Sequence, residues 1–312
     1  MTDPFDEKTL KPMLIGETGE AFDSPDFIHE LKLDGIRCLA YLGDGVTDLR
    51  NKRNLRVSPI YPELSQIHEQ MKNRCILDGE ILVMQNGKPY FAEIKRRALM
   101  SDPFKISLAA QKLPVSFTAF DILYKDGELL NNLPLLQRKE ILSQTVTESE
   151  RLSVSRYIDT QGIALYRLTE EQGLEGIVSK RKDSKYYFDK RTKDWIKIKN
   201  LLDEDFIVCG YITKAQEGRN VTSLILGAYD GNGQLVNQGH VTLGLSKAEF
   251  GIISKHPLAL RPPFEPSEEG AVYLEPTLVC TVKYMERTSG GGLRQPVFKG
   301  LRYDKEAREV VL

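Results

Sequence analysis

Residues Glu30-Leu-Lys-Leu-Asp-Gly-Ile-Arg37, ELKLDGIR, set an ammonium and a carboxylate two positions apart, just ahead of a glycine and an arginine. Successive side chains of an extended strand point to opposite faces, so Glu30, Lys32 and Asp34 share one face while Leu31 and Leu33 anchor the other. The plainest reading is an edge strand with a solvated face and a turn at Gly35. A second stretch has the same design, with Trp195, Lys197 and Lys199 on one face and Ile196 and Ile198 on the other. If the three lysines converge they repel unless a strong anion lies among them, and a polyphosphate is the natural occupant. The carboxylates Asp34, Glu80 and Glu175 supply oxygen ligands for Mg²⁺ (or Mn²⁺), a hard cation that prefers carboxylates together with substrate phosphates. Lysine, phosphate and metal together describe nucleotidyl transfer.

The 312 residues, 41% apolar and 28% charged, suffice for two buried cores. A formal charge of −1 excludes a uniformly basic nucleic-acid coat but leaves room for a local basic groove. Cys38, Cys75, Cys209 and Cys280 form no CxxC pair, and His29, His68, His240 and His256 have no ligand spacing with them. Neither a zinc site nor a disulfide framework is expected. The acidic start MTDPFDEKTL lacks an apolar core, and no apolar run approaches the roughly 18 residues that cross a bilayer. These features predict a reducing, cytoplasmic setting without membrane attachment.

From Phe27 to about Leu202 strand-like and helix-like runs mix in an α+β pattern. The strands are IHELKLDGIRCLAYL, CILDGEILVM, VSFTAFDILY, GIVSKR and DWIKIK; the helices are PELSQIHEQMKN, LPLLQRKEILSQTV and TQGIALYRLTEEQG. After the acidic LLDED segment the pattern changes to short strands: DFIVCGYIT, VTSLILGAYD, GQLVNQGHVTLG, AVYLEPTLVCTVKYMER and a last run near LRQPVFKGLRY. Asp230-Gly-Asn-Gly233 reads as a hairpin turn, and SKAEFGIISKH as a helix after the third strand. Five strands with a helix in that position follow the chain order of an oligonucleotide-binding (OB) barrel. The expected division is residues 1–202 and 203–312.

Taken together, Lys32-x-Asp34-Gly35-x-Arg37 resembles the first motif of the covalent nucleotidyltransferases, the polynucleotide ligases and messenger-RNA capping enzymes. Asp78-Gly79-Glu80 resembles the third motif, Phe120-Asp121 the aromatic one after it, Glu175-Gly176-Ile177-Val178-x-Lys180 the fourth, and Lys197-x-Lys199 the fifth, in the family's order. Arg294-x-Pro296-x-Phe298, followed by Arg302-x-Asp304-Lys305, is similar to the sixth motif of ATP-dependent DNA ligases. The context SGGGLRQPVFKGLRYDK looks most like the ligase domain of bacterial end-joining polypeptides.

The resemblance runs from about residue 27 to 305. It implies an adenylation (nucleotidyltransferase) domain of antiparallel sheets with flanking helices, followed by an OB barrel. It also implies an ATP-dependent DNA ligase that seals nicked duplex DNA as a monomer in repair, recombination or replication, with an end-binding or clamp partner left open. By this resemblance Lys32 becomes adenylated by ATP. Arg37 contacts the ribose and later the nick phosphate, Glu80 the ribose hydroxyl, Phe120 the adenine face, and Glu30 the adenine edge through backbone or side chain. Asp34, Glu80 and Glu175 serve the metal, Lys197 and Lys199 the α-phosphate, and Arg294, Asp304 and Lys305 the leaving pyrophosphate, with Lys180 among the nucleotide-binding residues. Where the family has an Arg-Asn-Gly turn, this chain has Arg50-Asn51-Lys52-Arg53; the role passes to Arg50, with Arg53 as competitor. The alternatives are an RNA ligase or capping guanylyltransferase, and a non-catalytic nucleic-acid clamp built on the barrel.

Two basic stretches remain. Lys95-Arg96-Arg97 offers a modest case for phosphate contact, and RKDSKYYFDKRTKDWIKIK, with Tyr186, Tyr187 and Phe188 interleaved, suits either a solvated surface or a DNA-facing strip. Ser289-Gly-Gly-Gly292 has no following helix or P-loop lysine and reads as a hairpin loop. LLDED and the DGNG turn call for no functional reading.

Overall fold

The computed structural model describes residues 3–216, 219–265, 267–288 and 290–312; Ser289 of the glycine-rich loop lies outside them. Two compact units divide the chain, Met1–Asn200 and Leu201–Leu312.

The first unit begins with α1 (Pro4–Glu7), β1 (Leu14–Thr18), β2 (Phe27–Leu31), β3 (Ile36–Gly43), β4 (Val46–Asn51), β5 (Cys75–Gln85) and the short β6 (Lys88–Pro89). Two helices, α2 (Phe91–Ala98) and α3 (Pro103–Lys112), precede β7 (Val115–Lys125) and β8 (Glu128–Leu129). It ends with α4 (Leu135–Thr145), β9 (Leu152–Val154), β10 (Tyr157–Asp159), α5 (Gly162–Glu171), β11 (Gly176–Arg181) and β12 (Arg191–Lys199). The strands form two mainly antiparallel sheets, one in the order β1-β12-β11-β2-β10, the other built on β4-β3-β5-β7-β8. Period-2 patterning explains the layers. Ile28, Val178 and Trp195 of the first sheet bury against Leu39, Tyr41, Ile76 and Leu123 of the second, while Ala40, Leu42, Leu77 and Ile81 face an outer core with Ile94 of α2 and Leu142 of α4. On the far face of the five-stranded sheet, Ile177 and Ile198 pack on Leu165 of α5.

The opening stretch differs from its predicted form. The strand expected to run through ELKLDGIR stops at Leu31, and residues 32–35 are the span that leaves β2 in one sheet and enters β3 in the other. Glu30 is buried and Leu31 is 38% exposed, so the charged side points inward and Leu31 anchors no core. Gly35 allows the crossing, since a Cβ there would stand 2.2 Å from the Ile81 carbonyl oxygen. The helix expected over residues 62–73 is replaced by two 3₁₀ turns, Pro62–Leu64 and Ile67–Gln70. Leu64 and Ile67, three apart, bury one side of the segment without a continuous helix.

The second unit comprises β13 (Leu202–Gln216), β14 (Arg219–Tyr229), β15 (Leu235–Val241), α6 (Lys247–Ile253), β16 (Ala271–Tyr284) and β17 (Val297–Arg302). The sheet order β15-β14-β13-β16-β17 is drawn together by a parallel bridge between Leu243, just past the third strand, and Val297 of the fifth, as in an OB barrel. Ser246 caps α6 in a reciprocal pair with Glu249. Asp230 closes the β14–β15 turn by accepting from the N–H groups of Asn232 and Gln234, at 2.9 and 2.8 Å. All four cysteines are buried and free. No helix among the described residues is long and apolar enough to cross a membrane.

Candidate active site

Cross-strand rows of the five-stranded sheet arrange the charged side chains. β2, β11 and β12 are neighbours, so Glu30, Val178 and Lys197 stand opposite one another, as do Ile28, Lys180 and Trp195. One row on, Lys199 faces Gly176, whose carbonyl accepts the Lys32 backbone N–H at 2.8 Å. Gly176 lets the strands approach this closely, since a Cβ there would stand 2.1 Å from the Ile198 carbonyl oxygen and 2.9 Å from the Lys199 Cα. Glu175 stands between the two lysines, Oε2 2.8 Å from Lys32 Nζ and Oε1 3.8 Å from Lys199 Nζ. Of the three lysines expected to converge, Lys32 and Lys199 meet around a carboxylate of the chain itself, while Lys197 stands one row away, opposite Val178.

Behind this pair lies a buried triad. Lys139 Nζ is 2.5 Å from Glu30 Oε1, while Lys180 Nζ and Ser155 Oγ lie 3.1 and 2.8 Å from Oε2. Burial alone would raise the Glu30 carboxyl, yet the two ammoniums hold it below its ordinary range. Glu30's side chain is thus committed to these partners, and its backbone lies in β2 between β11 and β10, opposite Val178 and Tyr157. Lys180 sits 4.5 Å from the Phe120 ring centre and 4.1 Å from that of Trp195. Burial lowers its pKa to about 8 against the pull of Glu30. Phe120 is partly buried, edge-on to Trp195 with centroids 6.0 Å apart.

The facing sheet contributes Arg37 and Glu80, opposite each other on β3 and β5. The Arg37 guanidinium reaches diagonally to Asp78 instead, donating from Nε at 3.0 Å and Nη2 at 2.6 Å. Tyr186 donates its hydroxyl to the same carboxylate at 2.6 Å. Arg37 lies 5.4 Å from the Phe120 centroid and 5.8 Å from that of Trp195, which joins the two sheets' contributions. Burial pushes the Glu80 carboxyl up to about 8, with Arg37 and Lys32 pulling the other way. Asp34 lies in the crossing segment, two residues from Lys32. Among the described residues no group of three His, Cys, Asp or Glu side chains converges to hold a metal, so Asp34, Glu80 and Glu175 do not form a preassembled cage.

Other predicted residues lie elsewhere. Arg50 shares the sheet face of Asp78 through Leu39, but its guanidinium bonds Asp48 at 2.9 Å and the Asn54 carbonyl at 3.4 Å. The missing glycine of its turn is replaced by Asn54, which takes φ +62° and donates its N–H to the Asn51 carbonyl at 2.8 Å; Arg53 is exposed. Arg97 is no DNA contact: it is fully buried, bound to Glu63 at 3.0 and 3.1 Å and to the Ile60 carbonyl at 3.0 Å. Tyr186 is also fully buried and Phe188 packs on it, so of the three aromatics in the basic strip only Tyr187 faces solvent. In the second unit Arg294 pairs with Glu286 at 2.9 Å, and Asp304 receives two bonds from Arg302 at 2.7 and 2.8 Å. Lys305 lies 3.0 Å from Asp205, which also accepts from Thr281 at 2.7 Å and Arg302 at 3.4 Å. Asp205, the last residue of the acidic LLDED segment, thus ties Lys305 and Arg302 to β13. Burial raises Asp205, but the bonds from Thr281 and Lys305 outweigh it and lower its pKa.

Asp78, Lys139, Ser155 and Val178 carry no individual role in the sequence analysis, and Tyr186, taken there for a surface residue, is a buried partner of Asp78. Alternation flags two of them: Asp78 lies two residues from Glu80, and Val178 two from Lys180, each on the same face. The others come from distant loops and helices whose approach no spacing encodes.

Two family models match the chain: the ATP dependent DNA ligase domain over residues 11–199 and the ATP dependent DNA ligase C terminal region over residues 217–305. The multifunctional non-homologous end joining DNA repair protein LigD of Mycobacterium tuberculosis is 30% identical over 98% of this chain, which spans 40% of that relative's length. The SPbeta prophage-derived DNA ligase-like protein LigB of Bacillus subtilis is 28% identical over 94% of this chain and 99% of its own. Among solved structures, mycobacterial DNA ligase D complexed with ATP and MES matches with TM-score 0.57 and 29% identity, covering 97% of this chain and 98% of that one.

Proposed function

The chain belongs to the ATP-dependent DNA ligase family, and from that premise we propose that it seals nicks in duplex DNA through an adenylate carried on Lys32. The observation that carries this reading is the Lys32–Glu175–Lys199 cluster, set where the chain crosses between the two sheets. Lys32 must lose a proton before it can attack, and Glu175 Oε2, 2.8 Å away, is the acceptor in reach. Lys32 Nζ then forms a P–N bond to the α-phosphorus of ATP as the α–β bridging P–O bond breaks and pyrophosphate leaves. Lys197 and Lys199 stabilise charge on the α-phosphate oxygens throughout. In the second step the 5′-phosphate of the nick takes the adenylate from Lys32, and in the third the 3′-hydroxyl attacks that 5′-phosphate and releases AMP. Arg37 serves the ribose and then the nick phosphate, Glu80 the ribose hydroxyl, and Phe120 the adenine face. The adenylation domain is assigned to residues 1–202 and the OB domain, with Arg294, Asp304 and Lys305 acting on pyrophosphate, to residues 203–312.

The donor set fits Mg²⁺. One or two carboxylates plus substrate phosphates satisfy that ion without a protein cage, and burial, which pushes the Glu80 carboxyl up to about 8 despite Arg37 and Lys32, would be offset by a bound cation. Glu175, Asp34 and Glu80 are its candidate holders, and the ion would supply Lewis-acid neutralisation of phosphate charge. Incubation with α-labelled ATP and Mg²⁺, then with a nicked duplex, tests the scheme. The wild-type chain takes up label and passes it to DNA, whereas Lys32→Ala and Lys32→Arg stay unlabelled, since guanidinium remains protonated. Label on Lys32→Ala, or mapped to another lysine, would sink the assignment.

A further inference from the structure

Helix α3 (Pro103–Lys112) buries Ile106 and Ala109, and its outer face is centred on two apolar side chains one turn apart. Phe104 is 76% and Leu108 42% exposed. At about 100° per residue, Lys105 and Lys112 border this ridge on one side and Ser107 and Gln111 on the other, all but Gln111's neighbour Ala110 being open to solvent. The helix has no acidic residue. Asp102, just before it, is occupied in accepting the backbone N–H groups of Phe104 and Lys105 at 2.9 and 3.3 Å. Lys95 and Arg96 at the end of α2 are exposed as well. Nothing in the nucleotide-transfer scheme uses this face, and large apolar side chains kept in water beside cations mark a binding surface.

We propose that the outer face of α3 docks on duplex DNA, with the Phe104–Leu108 ridge in the minor groove and Lys105 and Lys112 on phosphates beside it. This rests on the ligase reading and gives it a DNA contact that no motif identified. The charge pattern selects the occupant: two lysines, an apolar crest and no carboxylate on the helix complement a polyanion with apolar sugar walls. Lys105 and Lys112 are about 10 Å apart along the helix axis, so they reach separate phosphates, which recur about every 3.4 Å along a strand.

The full-length chain and a fluorescent nicked duplex provide the test. Phe104→Ala/Leu108→Ala should weaken duplex binding at least about fivefold, in the range that loss of buried apolar contact gives. Lys105→Gln/Lys112→Gln should flatten the log Kd against log salt slope by about 1.8, at 0.9 per phosphate. Both variants should keep wild-type Tm and wild-type self-adenylation, because the altered side chains are solvent-facing. Unchanged DNA affinity and salt slope would overturn the proposal, as would loss of self-adenylation in parallel with binding. A concentration-dependent self-association of the wild type that the variants abolish would reassign the face to a second copy and overturn it too. If the wild type itself neither self-adenylates nor binds the nick, the ligase reading fails; if it does both and the variants match it, only the α3 assignment fails.

Discussion

At the scale of single residues the site is organised by charges that burial leaves incompletely compensated. Glu80 is the clearest case, its carboxyl pushed from 4.5 up to about 8 by burial, with Asp78 and Glu175 nearby adding to the rise. A carboxyl whose folded pKa exceeds its unfolded value binds more protons in the native state between those two values. Its linkage therefore destabilises the fold progressively as pH rises from about 4.5 to about 8. Glu80→Gln, which mimics the protonated form, should be more stable than wild type at pH 7 by about 2 kcal/mol, allowing for the partly exposed carboxyl. The gap should vanish near pH 4, and denaturant melts across that range measure it. A constant difference from pH 4 to 8 would show that Glu80 titrates normally. The existence of such charges was legible in Lys32, Glu80 and Glu175, but their partners were not. Glu30 looked free to meet a base, and only the fold shows Lys139, 109 positions away in sequence by their numbering, at 2.5 Å from its carboxylate.

At the scale of elements, long runs with clear periodicity were read well and short or interrupted ones were not. Residues 133–146 and 160–173 carry a helical period and form α4 and α5, and the alternating runs at 75–84 and 115–124 form β5 and β7. β1, LIGET, and β4, VTDLRN, are too short and polar to stand out. ELKLDGIR has unbroken alternation, yet its strand ends halfway because residues 32–35 change sheets, a tertiary fact that no local pattern holds. The pair β11–β12 matters most for the site, because it sets Lys199 beside Lys32 across Gly176. That glycine has φ +125°, and a Cβ on it would stand 2.1 Å from the Ile198 carbonyl oxygen. Gly176→Ala should cost about 3 kcal/mol and abolish labelling by α-labelled ATP. Gly45, at φ +72° in an open turn with nothing within 4 Å of such a Cβ, is the control; Gly45→Ala should cost about 1 kcal/mol and leave labelling intact. Equal thermal shifts for the two would mean the β11–β12 approach tolerates a side chain and does not set the lysine spacing.

At the scale of the whole molecule, each unit closes its own cores: every residue of the three clusters in the first unit precedes Asn200, and both clusters of the second follow Leu201. The end of the first unit is pinned, since Asn200 donates its N–H to the Glu175 carbonyl at 2.9 Å and its side-chain amide to the Thr169 carbonyl at 3.3 Å. Cutting the chain after Asn200 removes none of these contacts, so a fragment of residues 1–200 should melt cooperatively on its own. It also retains Lys32, Glu175, Lys197 and Lys199. What it loses is Arg294, Asp304 and Lys305, the last paired with Asp205 of its own unit at 3.0 Å. If these residues act on the leaving group, the fragment should fold yet take up label from α-labelled ATP at least about a hundredfold more slowly than the full chain, the usual cost of removing preorganised charge from a transition state. Label already on Lys32 does not depend on pyrophosphate, so adenylated full-length protein trimmed to the first unit should still pass its adenylate to a nicked 5′-phosphate, although weakly if the barrel also grips DNA. A fragment that melts cooperatively and self-adenylates at the full-length rate would remove the barrel from the first chemical step and leave it a DNA-binding role alone.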